Sequence, residues 1–96
     1  MNQLDLECFL RENKSHFNDS VRLFIEWNEQ REFQTRAFDW LYSNVTLMAA
    51  IESKPIADVV QAQLSERSYI DVLSYFKDEE ERKHFLGYTN IIPLFS

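Results

Sequence analysis

Large apolar residues recur along this chain mostly at intervals of three and four, the spacing that puts side chains on one face of a helix. The first run predicts a helix over residues 2–13, with Leu6, Phe9 and Leu10 facing inward and Glu7 paired with Arg11 one turn later. Asn18, Asp19 and Ser20 are helix-starting residues ahead of Val21. Between Val21 and Ser53 there is neither Gly nor Pro, and Phe24, Trp27, Phe38, Leu41, Val45 and Met48 keep a heptad-like register. Arg31 and Gln34 occupy the apolar positions of that register in between. One unbroken helix over this stretch would extend ~50 Å, too long for so small a domain. A break or kink near Asn28–Glu32, the most polar part, is therefore expected. Residues 37–51 are apolar nearly all round and read as the central, most buried helix.

Pro55, with Ser53 as its cap, restarts the chain, and Ile56, Val59, Val60 and Leu64 follow at helical spacing. Ser68 with Asp71 has the form of a capping box and opens a short helix carrying Tyr69, Val72, Leu73 and Phe76. Asp78 with Glu81 repeats the signal. The last helix is expected to carry Asp78–Arg82 and Glu79–Lys83 pairs, basic residues in its final turn, and Gly87 just past its end. Beyond it, Ile91, Ile92, Leu94 and Phe95 make an extended apolar tail in which Pro93 forbids helix. The expectation is an all-α fold: a compact bundle of about five to six helices, with a long or kinked central helix at about 20–53, forming a single domain over residues 1–96.

Composition agrees with this pattern. A single Gly and two Pro are too few for the turns of an all-β fold, and 45% apolar residues fill one core. Cys8, the one cysteine, excludes an intrachain disulfide and stands among Leu6, Phe9 and Leu10 as a small buried hydrophobe. The first residues have no basic segment or long apolar run, so no signal peptide and no membrane span are expected, and the cytoplasm is the expected compartment. The net charge of −6 opposes direct binding to nucleic acid or to an anionic membrane and favours a partner with a basic surface.

Catalytic constellations are sparse. One Gly excludes phosphate-binding glycine loops, and the two histidines, His16 and His84, lie in no nucleophile signature. Glu81 and His84 have a spacing used in helical di-metal sites, but the second half-site such centres need is missing, so no metal or cofactor is expected. Arg11-Glu-Asn-Lys-Ser-His16 resembles the Arg-x4-His element of the HEPN ribonucleases. That resemblance implies RNA cleavage, with His16 as general acid or base and Arg11 stabilising the charged transition state. A helix-turn-helix over residues 56–76 is opposed by its second segment, Ser68–Phe76, which has no basic residue and contains Asp71.

Surface charge is the feature that suggests a role. Glu26, Glu29 and Glu32 recur every three residues, Asp78, Glu79 and Glu80 begin a run of four acids, and Trp27 offers an aromatic anchor beside the first group. Glu26 and Glu29 have no basic residue four positions downstream, which marks the less compensated patch. These seven residues are the expected partner-binding set. The expected function is that of a small acidic protein-binding protein. It would inhibit a nucleic-acid-acting protein, as toxin-immunity proteins and phage-type anti-defence inhibitors do, by occlusion or charge mimicry. The alternatives are a structural subunit or obligate homodimer built on an unbroken helix over 21–53, and the ribonuclease.

Overall fold

A computed structural model describes residues 2–89 of the chain. They form a compact all-α bundle of six helices: α1 (Gln3–Asn13), α2 (Asp19–Gln30), α3 (Arg36–Glu52), α4 (Ile56–Ser65), α5 (Tyr69–Leu73) and α6 (Glu79–Thr89). A 3-10 turn at Lys14–His16 links α1 to α2. Of the apolar tail, Tyr88 and Thr89 belong to α6, and the remainder lies outside the described residues.

Helix starts follow local chemistry. Asn2 and Asp5 form a capping box, each side chain accepting from the other's backbone N–H at 2.9 and 3.1 Å. Asn18 caps α2 by accepting from the Val21 N–H, and its amide nitrogen donates to the Arg67 carbonyl, pinning the start of α2 beside the end of α4. The Ser68–Asp71 box opens α5 as expected.

α2 occupies the centre. It packs against α1, the 3-10 turn, α5 and α6, and buries Val21, Leu23, Phe24, Ile25, Trp27 and Asn28. Phe24 and Trp27 meet Phe76 edge-on at 5.6 and 5.2 Å between ring centres, and Phe76 stacks on Phe85 at 4.8 Å. Such pairs add about 0.5–1.5 kcal/mol each beyond the area they bury. This corrects the expectation for residues 37–51. α3 packs chiefly on α4, burying Ala37, Phe38, Leu41, Val45 and Ala49 along one side. Tyr42 and Met48 pack against the edge of the core, while Trp40, Leu47 and Ile51 stay in water.

The break between α2 and α3 falls at Arg31–Thr35, just after the expected position. Asn28, fully buried, organises it. Its amide nitrogen donates to the Phe24 carbonyl at 2.8 Å, its side-chain oxygen accepts from the Thr35 hydroxyl at 2.6 Å, and its carbonyl accepts from the Phe33 N–H at 2.8 Å. Thr35 in turn caps α3 by accepting from the Phe38 N–H. Glu32 and Phe33 both take left-handed backbone with φ of 55°, which costs non-glycine residues about 1–2 kcal/mol each. The reversal is offset by burial of Phe33 against Phe38, with centroids 5.0 Å apart. A continuous helix would instead have laid Arg31 and Gln34 along the apolar seam. It would also have exceeded the 39 Å longest dimension of the molecule.

Three further expectations are corrected. Ser53 closes α3 in a left-handed conformation, while α4 starts at Pro55 without a side-chain cap. Gly87 lies inside α6, which runs on to Thr89 and has no basic residue in its last turn. Cys8 is exposed, because Leu6 and Leu10 turn one face of α1 inward and a residue two positions from each points away.

Candidate functional site

The first acidic group is more neutralised than its downstream neighbours suggest. Lys14, from the 3-10 turn, donates to Glu29 at 2.8 Å, and this hydrogen bond is the main reason its ammonium pKa is raised. Arg22, one turn upstream, lies 3.8 Å from Glu26. Burial, and then the Glu26 carboxylate, push the Tyr88 phenol pKa up. Trp27 is 0% exposed, with the Arg31 guanidinium 4.2 Å from its ring centre, so it is a core residue and cannot serve as a partner's anchor. Glu32 alone of this group is exposed without an ion pair among the described residues.

In the second group, Asp78 and Glu81 are structural. Glu81 reaches across to the start of α3, where its two carboxylate oxygens accept from the Arg36 and Ala37 N–H groups at 2.8 and 3.0 Å. Arg36 returns the contact by pairing with Asp78, which itself accepts from the Glu81 N–H at 3.1 Å. Two helix N-termini are thus tied together, α3 capped by Glu81 and α6 by Asp78, with Arg36 bridging to the second. The Glu81 N–H, with a smaller contribution from Arg36, holds the Asp78 carboxyl below the usual carboxylate range. The expected Asp78–Arg82 pair is replaced: Arg82 sits 3.8 Å from Glu79 and donates to the Phe76 carbonyl at 3.3 Å. Asp78 is therefore withdrawn from the partner-binding set, whereas Glu79 and Glu80 are exposed and available.

Sequence reasoning found α3 but missed its outward face. Trp40, Leu47 and Ile51 are 43, 59 and 67% exposed, and their spacing of seven and four places them on one helix face. Monomeric proteins scatter single apolar residues over their surface, but an aligned set is a feature of contact surfaces. Beside this stripe lies an open depression of about 370 Å³ between α3, α4 and the residues after α5. Trp40, Asn44, Gln63, Arg67, Tyr75 and Lys77 are among its lining residues, and the Lys77 ammonium stands 5.3 Å from the centre of the Trp40 ring. The signal was present in the sequence: an apolar excess around all of residues 37–51 was read as burial when part of it was surface.

No family model, curated protein or solved structure matches this chain.

The remaining chemistry is quickly placed. Arg11 is directed to Glu7 at 3.9 Å and to the Phe33 ring at 5.0 Å, while His16 is within 3.3 Å of the Asn13 side-chain oxygen. The two side chains of the ribonuclease-like element are thus engaged with different neighbours. Among the described residues no three His, Cys, Asp or Glu side chains gather as metal ligands, and Glu81 of the Glu81–His84 pair is committed to α3. No helix among them is long and apolar enough to cross a membrane.

Proposed function

We propose that this chain is a protein-binding module whose contact surface is the outward face of α3, and that it acts by covering the working surface of a protein that handles nucleic acid. The observation that carries the binding role is the stripe of Trp40, Leu47 and Ile51, three large apolar side chains held in water on one rigid helix. A net charge of −6, with Glu32, Glu79 and Glu80 outward, supports a basic partner and speeds its approach. Occlusion is favoured over charge mimicry, because Lys14 and Arg22 blunt the acidic face of α2 that mimicry would use.

The test is retrieval from the source cell at low salt, where charge attraction is strongest, with wild-type protein and Leu47→Asp/Ile51→Asp as paired baits. The expected result is a nucleic-acid-acting protein held by wild type and released by the variant, with its activity suppressed in the purified complex. Equal retention by both baits would remove the α3 surface from the proposal. Retention of no protein would remove the partner altogether. Sedimentation at micromolar concentration adds a control: a wild-type dimer that the variant dissolves would identify the occupant of the stripe as a second copy.

A further inference from the structure

The depression beside α3 has the chemistry of a small-anion site, although the protein as a whole is acidic. Five of its cations, Arg11, Lys14, Arg22, Arg36 and Arg82, have a carboxylate within 4.0 Å. Five others have no such ion pair among the described residues, and two of these, Arg67 and Lys77, line this one depression. Arg67 stands 5.8 Å from the centre of the Tyr75 ring. Tyr75 is 4% exposed, and neither its hydroxyl nor Arg67 Nε has a hydrogen-bond partner. Burial raises the Tyr75 phenol pKa, with the nearby Arg67 charge opposing it.

The other lining residues, interleaved with these cations, are of a different kind. Trp40 gives a half-exposed indole, and Asn44 and Gln63 each bring a side-chain amide that both donates and accepts. A volume of about 370 Å³ lies at the small end of the range that holds small molecules. The positive ground is also short. The adjoining depression toward the end of α3 sets Glu52 and Asp58 against Lys54 alone, and the one beyond Arg67 adds Glu66 and Asp71. A strand of nucleic acid or an acidic peptide would run into these carboxylates. A compact ligand with its charge at one end would not.

We propose that this depression binds a nucleoside monophosphate: a flat nitrogenous ring against Trp40, its edge read by the Asn44 and Gln63 amides, and one phosphate held by Arg67 and Lys77. Guanidinium and ammonium groups suit phosphate, and aromatic faces suit bases of any identity. This site shares Trp40 with the α3 stripe but does not rest on the partner proposed there, and variants at Leu47 and Ile51 against those at Arg67 and Lys77 separate the two.

The experiment is a fluorescence titration of the full chain with adenosine and guanosine 5′-monophosphates. Trp27 is sealed in the core and Trp40 is the responsive emitter. Saturable quenching with a Kd under about 1 mM is expected for at least one nucleotide. Adenosine and guanosine without phosphate, and inorganic phosphate alone, should each bind tenfold or more weakly. Lys77→Ala, an exposed change that spares the core, and Arg67→Gln should each weaken binding about tenfold, the scale of one charge-assisted hydrogen bond. Leu47→Asp/Ile51→Asp should leave the titration unchanged. No saturation by about 5 mM of either nucleotide, phosphate binding as tightly as the nucleotides, or wild-type affinity in both Lys77→Ala and Arg67→Gln would overturn the proposal.

Discussion

α2 and α3 are consecutive helices with opposite relations between composition and burial. α2 carries Asp19, Arg22, Glu26, Asn28, Glu29 and Gln30, yet it runs through the middle of the molecule with Trp27 at its heart. α3 is much the more apolar in sequence, yet it lies at the side and leaves Trp40, Leu47 and Ile51 in water. Total apolarity therefore did not decide which helix is central. What decided it was whether the polar residues had partners. Asn28 is fully satisfied by Phe24, Phe33 and Thr35, and Lys14 and Arg22 meet the carboxylates at the rim of α2, so its polar side chains do not oppose burial.

The two helices should differ most in their response to truncation of one large side chain in each. Trp27→Ala should cost about 3–5 kcal/mol and unfold much of the population. Leu47→Ala should stay within about 0.5 kcal/mol of wild type. Urea denaturation read by far-ultraviolet circular dichroism measures both, and a similar loss in the two would show that α3 is not a one-sided helix. Next in size is the joint between them. Thr35→Val keeps the shape but removes the α3 cap and leaves the buried Asn28 oxygen unpaired, a loss of about 1–3 kcal/mol by the same assay. The smallest effect has the opposite sign. Glu32→Gly relieves a left-handed backbone at an exposed position and should raise stability by up to about 1 kcal/mol, seen as a higher melting temperature. A decrease would mean that the Glu32 side chain holds the turn.

Much of this was legible along the chain. The Ser68–Asp71 box, the Asn18 start and the Glu7–Arg11 pair are interactions within one turn, and residue type alone specifies them. The break after α2 was legible too, because Arg31 and Gln34 have no place on an apolar seam. The contacts that close in space were not. Glu81 caps a helix that begins 45 residues earlier, and Lys14 meets Glu29 across 15 residues. Neither spacing belongs to any local rule, so Asp78 and Glu29 looked freer than they are, whereas the partner of Glu26, Arg22, lies one turn upstream and only downstream positions were weighed. Phe33 was missed for another reason: it reaches the core only through two successive left-handed residues, which side-chain periodicity does not record.

The outward position of Cys8 has a practical side. One thiol per chain means that oxidation in air can join two molecules but has no second thiol with which to extend the product. A covalent pair that vanishes in reductant would be a storage artefact, easily told from association through α3. The same atom gives a single point at which a maleimide dye can be placed on α1 without changing a residue.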